Sequence, residues 1–172
     1  VEKVVGNLQF AEGPVWVRSG GYLLFSDIPA NAVMKWTPGS DLSVFRKAIF
    51  THEFPSGIQI GTNGLTLDAQ GRLIACEHGN RRISRTEKDG TVTTLADRYD
   101  GKRLNSPNDV VTKRSSGDIY FTDPNSVARN NPPDPNNYFK PEQGFNGVYR
   151  ITAVGKLALL TKDMPYPNGI AF

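Results

Sequence analysis

The sequence predicts an all-β fold assembled from repeated four-stranded antiparallel units, on three observations. Short runs rich in Val, Ile, Leu, Phe and Tyr recur between clusters of Gly, Pro, Asn and Asp, as in YLLFSDI, RLIAC, IYFTD and GVYRIT. Helix-period patterns are scarce. One motif returns four times: EGPVW from Glu12, NGLTL from Asn63, NDVVT from Asn108 and NGIAF from Asn168. Each copy places an acidic or amide residue, then a small or turn-forming one, ahead of an apolar stretch of strand type.

The elements follow this motif in a fixed order. A second strand enters through a glycine-bearing turn in RSGGYLLFSD, DAQGRLIACEH and RSSGDIYFTDP, where Gly supplies the positive φ that tight hairpins need. A third strand lies in AVMKWTPG, RRISRTEKDG and GVYRITAVG, and a fourth in LSVFRKA, TVTTLADRY and KLALLTKD. The anchors Glu12, Asn63, Asn108 and Asn168 stand 51, 45 and 60 residues apart. Four antiparallel strands at this period make a propeller blade. The expected blades cover about 12–48, 63–99 and 108–163, and 164–172 opens a fourth. The longest spacing contains a Pro/Asn-rich insertion over 125–145, expected as an irregular loop on the channel-mouth face. Its Tyr138 and Phe139 are placed to restrict entry. Three blades plus one strand leave open edges, which invite pairing. The sequence is therefore expected to be a piece of a longer propeller; the alternative is closure of the ring by self-association.

Composition narrows the classes. The chain has 172 residues, 38% of them hydrophobic, and no apolar run long enough to cross a bilayer, so it reads as soluble and globular with no membrane partner. A lone cysteine, Cys76, offers neither an internal disulfide nor a cysteine-rich zinc site. The net charge of +3 is thinly spread. GNRRISR is the one dense basic cluster and reads as solvated surface, without the interleaved aromatics that nucleic-acid binding calls for. The compartment stays open.

The anchors are also the candidate site. In a propeller the first strand of each blade lines the central channel, so Glu12, Asn63, Asn108 and Asn168 converge at one end of the axis. One carboxylate and three amide carbonyls are hard oxygen donors, suited to Ca²⁺ or a similar divalent ion. The plain alternative is that Asn-Gly and Asn-Asp are turn formers at strand starts. Recurrence in register, with a glutamate in the first copy, favours a site. His78 ends a second strand at the same end and either reaches substrate or hydrogen-bonds the blade end. Asp27 and Asp123 share one blade position and are expected to cap backbone N–H groups. Cys76 reads as a core residue, and Trp16 and Trp36 as packing between blades. No G-x-S-x-G occurs, so an acyl-enzyme route is not indicated.

The stretches AEGPVW, FSDIPANAVMKW, NGLTLDAQGRLIACEHGNRRI, LNSPNDVVTKRSSGDIYFTDP and PNGIAF resemble the gluconolactonase family, which includes the senescence-marker or regucalcin-like proteins. The resemblance spans essentially the whole chain. It implies a six-bladed propeller of which this is about the N-terminal half, one divalent cation (most often Ca²⁺, with Zn²⁺, Mn²⁺ or Mg²⁺ as alternatives), and hydrolysis of small sugar-type lactones. By the same resemblance Glu12 is the first metal ligand and Asn168 an amide ligand. Asn108 approaches the metal or the substrate, and Asn63 contacts substrate. The family's remaining ligand, an aspartate that is also the usual general base, is expected beyond Phe172, which leaves the catalytic residue unassigned. Some members carry an arginine where Ser106 stands, with Arg103 nearby here, so substrate choice is expected to differ. The implied chemistry is a cation-polarised carbonyl attacked by water. Two other readings stay open: a non-catalytic propeller for interaction or metal binding, and a related propeller esterase or lactonase with a non-sugar substrate.

Overall fold

The structure is a computed structural model that describes residues 2–54, 57–130 and 136–172. Three four-stranded antiparallel sheets follow one another along the chain. The first holds β1 (Ala11–Val17), β2 (Tyr22–Asp27), β3 (Ala32–Trp36) and β4 (Ser43–Lys47) in sequence order. The second holds β5 (Thr62–Leu67), β6 (Leu73–Glu77), β7 (Arg82–Thr86) and β8 (Val92–Ala96), again in order. A small hairpin, β9 (Arg98–Tyr99) with β10 (Lys102–Arg103), separates it from the third sheet. That sheet is β11 (Val110–Thr112), β12 (Ile119–Asp123), β13 (Gly147–Ile151) and β14 (Leu157–Thr161).

The sheets repeat even in their defects. The first pairing of each of the first two sheets slips register just after the anchor, between Glu12 and Val15 and between Thr62 and Leu65. The pairing of third and fourth strands slips at Val33/Met34, Ile83/Ser84 and Val148/Tyr149. Bulges at equivalent places bend equivalent strands alike.

The first strands β1, β5 and β11 lie side by side, and the sheets stack face to face behind them. Between the first two sheets the core is Val17, Leu24, Val33, Leu65, Leu73 and Ala75. Between the next two it is built on Ile74, Cys76, Ile83, Val110, Phe121 and Tyr149, where the Phe121 and Tyr149 rings stack at 5.2 Å. Each such aliphatic or aromatic side chain contributes roughly 1.5–3 kcal/mol on burial. This arrangement is propeller-like: the second sheet buries both faces against its neighbours, and the first and third each bury one.

Several expectations change. Trp16 is 46% exposed on the face of β1 turned away from the second sheet and packs between no two of the described sheets; Trp36 is half-buried. The fourth strand of the second sheet stops at Ala96, and the expected continuation forms the β9–β10 hairpin instead. Within the insertion, Ser126–Asn130 is a short helix, α1, not an irregular loop; residues 131–135 of that expectation lie outside the described residues. Val127 and Phe139 of the insertion bury against Phe50, Ile58 and Ile60, which join the first two sheets. The run from Asn168 to Phe172 takes no sheet pairing. It is nevertheless held against the third sheet, with Phe172 edge-on to Tyr120 at 5.1 Å. Arg81, read as solvated, is 1% exposed. Its guanidinium donates to the carbonyls of Leu104 (2.6 Å), Asn105 (3.1 Å) and Tyr138 (3.0 Å), tying the second sheet to the insertion. No described helix is long and apolar enough to cross a membrane.

Candidate functional site

The anchor backbones are gripped by the blade before them. Ser26 Oγ donates to the Asn63 carbonyl at 2.7 Å, the Gly64 N–H to the Asn108 carbonyl at 2.7 Å, and Thr122 Oγ1 to the Asn168 carbonyl at 2.6 Å. The glycines that follow the anchors permit this closeness. A methyl group at Gly13, whose φ is +55°, would run into the Asn63 carbonyl, and one at Gly64 would lie 2.6 Å from the Asp109 Cα. Where the third anchor carries Asp109 in place of glycine, its carboxylate accepts the Ile170 N–H at 2.9 Å and steadies the fourth.

The side chains of these anchors divide into two kinds. Asn63 is buried, and its Nδ2 lies 3.2 Å from Nε2 of the fully buried His78. His78 Nδ1 lies 3.3 Å from the Gln59 carbonyl, and burial pushes its pKa down to about 4 despite that bond. By contrast, the side chains of Glu12, Asn108 and Asn168 make no hydrogen bond or ion pair among the described residues; Glu12 and Asn168 are exposed and Asn108 is buried. Free hard-oxygen donors at the first, third and fourth strand starts are of a type that suits a divalent cation such as calcium. No group of three or more His, Cys, Asp or Glu side chains among the described residues is set to hold a metal.

Ser106 stands where an arginine was a point of comparison, and it has another use. Buried, it donates to the Pro124 carbonyl at 2.7 Å and accepts the Val127 N–H at 3.2 Å, clamping the start of α1. Arg103 is likewise engaged, stacked 4.5 Å over the Tyr138 ring and donating to its hydroxyl at 3.0 Å. On α1, Arg129 stacks 4.7 Å over Tyr166, whose hydroxyl donates to Ser126 Oγ at 2.9 Å. The insertion thus fastens both to the approach to Asn108 and to the approach to Asn168. A cleft of about 530 Å³ lies at the other end of the strands, beside Asp68, Arg72 and Gly117; its Arg72 is neutralised by Asp68 and Glu87.

Three carboxylates occupy one register position, at the end of each second strand: Asp27, Glu77 and Asp123. Asp27 accepts the N–H groups of Gln9 and Phe10, and Asp123 that of Asn105 at 2.8 Å, so both cap the chain entering the first strand of their sheet. Glu77 was missed by sequence reasoning, although aligning FSD, ACE and FTD would have exposed it. Burial pushes the Asp123 carboxyl up to about 7, against the pull of the Asn105 N–H and the Arg81 guanidinium. The folded state therefore holds that proton more tightly than the unfolded chain, whose ordinary value is 3.8. Stability from this group is fully present below about pH 4 and is lost as pH rises through about 7. Asp123→Asn should flatten that slope in urea midpoints taken between pH 5 and 8; an unchanged slope would reject the assignment.

A profile of the SMP-30/gluconolactonase/LRE-like region matches residues 10–172. The chain belongs to this family. It is 37% identical to a gluconolactonase of Zymomonas mobilis over 99% of its own length and 48% of that protein. Among solved structures, it is 36% identical to a gluconolactonase from Xanthomonas campestris, covering 90% of this chain and 48% of that one with a TM-score of 0.75. A solved candidate gluconolactonase is 31% identical, covering 99% of this chain and 55% of that one, with a TM-score of 0.80. The chain spans about half the length of the family relatives it matches.

Proposed function

We propose that this chain forms part of a six-bladed propeller enzyme of the family, one that hydrolyses sugar-type lactones with the help of a divalent cation. Ca²⁺ is the first choice, with Zn²⁺, Mn²⁺ and Mg²⁺ as alternatives. The observation that carries the reading is the set of unpartnered oxygen donors on the first, third and fourth anchors, in a chain that shares 37% identity with a gluconolactonase. Glu12, Asn108 and Asn168 would hold the cation, which supplies polarisation of the lactone carbonyl and stabilisation of the developing oxyanion. The Glu12 carboxylate supplies the negative charge of the set. Asp109 and Thr122 keep the Asn168 backbone in place, and the Gly64 N–H does so for Asn108. Asn63 hydrogen-bonds the substrate beside them. The proton acceptor for the attacking water is not assigned to any of these residues.

The test is proton release from glucono-δ-lactone by the protein at its full encoded length, before and after chelator treatment. Chelation should abolish hydrolysis and Ca²⁺ should restore it. Hydrolysis indifferent to chelation would remove the cation from the reading. Failure to open any hydroxylated δ-lactone would remove the lactonase itself.

A further inference from the structure

We propose that His78 is a positioning residue, fixing the Asn63 amide so that its carbonyl oxygen faces the channel as an acceptor for a hydroxyl group of the substrate. The inference rests on the lactonase reading for its substrate and on geometry alone for the fixed amide. The Gln59 carbonyl, 3.3 Å from His78 Nδ1, can only accept, so Nδ1 must carry the hydrogen. Nε2 is then a lone pair, and the atom 3.2 Å from it must be a donor. That atom is the Asn63 NH₂ group, since the amide oxygen would meet the lone pair with its own. One carbonyl on the loop before β5 thereby decides which way an asparagine on β5 points.

The consequence is directional. His78 follows β6, the strand outward of β5, and holds Nδ2 on that side; the amide is planar, so Oδ1 is the atom turned away from His78. The Ser26 Oγ bond to the Asn63 carbonyl stops the backbone from rotating to undo this. An inward-facing amide oxygen can accept and cannot donate. The carbonyl and ring oxygens of a lactone also only accept. A lactone's complementary groups are therefore its hydroxyls, which makes this position a selector for hydroxylated rings over plain alkyl ones. An unmet acceptor at a buried site discriminates against the ligand that lacks its donor.

Two measurements test this on the protein at its full encoded length. The first reads the tautomer through long-range ¹⁵N–¹H correlations of the imidazoles. In the described chain the histidines are His52 and His78, and the exposed His52 is assigned by His52→Gln. A His78 ring protonated on Nδ1 is expected; an Nε2–H tautomer would overturn the proposal whether or not the protein is a lactonase. The second compares glucono-δ-lactone with δ-valerolactone, which has no ring hydroxyl. His78→Phe keeps a ring and removes the acceptor, freeing Asn63 to turn. It should raise KM for the hydroxylated lactone about tenfold, the worth of one hydrogen bond. KM for δ-valerolactone, cation affinity and kcat should hold, and His78→Gln, which restores an acceptor, should recover part of the loss. Equal losses on both lactones in a folded variant would sink the selector role. If the wild type opens neither lactone, the lactonase reading falls by itself and the tautomer decides the fixed amide.

Discussion

Glu12→Gln should weaken divalent-cation binding and lactone hydrolysis together, each by at least about 10–100-fold, since loss of a mere supporting partner around a metal already costs that much. The substitution preserves shape and removes the one negative charge among the unpartnered anchor donors. Because the Glu12 carboxylate has no protein partner among the described residues, no internal bond is broken and the fold should stand. Activity should return in part at high Ca²⁺ if the loss lies in affinity. Titration calorimetry with Ca²⁺, run beside the hydrolysis assay, checks both. Full activity at low cation concentration would take Glu12 out of the mechanism.

The largest loss of stability is expected at Glu77. Its carboxylate is 0% exposed and accepts from Arg46 Nη2, Arg82 Nε, Ser84 Oγ and Asn80 Nδ2, each at 2.7 Å. Arg46 lies on β4 and Arg82 on β7, so one carboxylate ties the fourth strand of the first sheet to the third strand of the second. Burial favours its protonated form, but the two guanidiniums and the Ser84 hydroxyl outweigh burial and hold the carboxyl below its usual value. Glu77→Gln leaves both arginines facing an amide and should cost about 3 kcal/mol, read as a lowered urea midpoint. The stabilisation from Glu77 is present above its unfolded value of about 4.5 and is lost as pH falls through the lower folded value. The wild type should thus lose stability on the acid side of that window, and the variant should not. A variant as stable as the wild type at pH 7 would show that the cluster contributes nothing net.

The contrast between Glu12 and Glu77 explains what could be read from sequence. Periodic features were legible: turn glycines, strand runs and the four anchors recur, and recurrence separates signal from composition. Glu77 has no such help. Its partner Arg46 is 31 residues away, and a charged residue at a strand end ordinarily faces solvent. Arg81 was hidden for the same reason, because only the fold brings the Leu104 and Tyr138 carbonyls to it. The helix α1 has five residues, too few for a 3.6-residue period to register. Trp16 lies on a strand as expected, but on the face turned away from the second sheet. Of the site, the residue types at the anchors were readable, whereas the bond from Asn63 to His78 depended on the turn that carries His78 folding back toward β5.

The grip on the anchor carbonyls imposes a division of labour on each strand start. Holding one blade against the next falls to the anchor's own carbonyl, gripped by Ser26 Oγ, the Gly64 N–H or Thr122 Oγ1, and leaves the anchor side chain with no part in it. A glutamate and three asparagines can accordingly occupy equivalent places without any change in how the blades meet. The mouth of the channel can exchange its chemistry one residue at a time while the ring beneath it stays the same. Gly13 and Gly64 are held to a stricter standard than the residues they follow, because a side chain there would strike the neighbouring strand. Diversity in what such a scaffold recognises should therefore accumulate at the anchors and be curbed beside Glu12 and Asn63, where Gly13 and Gly64 sit against the next strand.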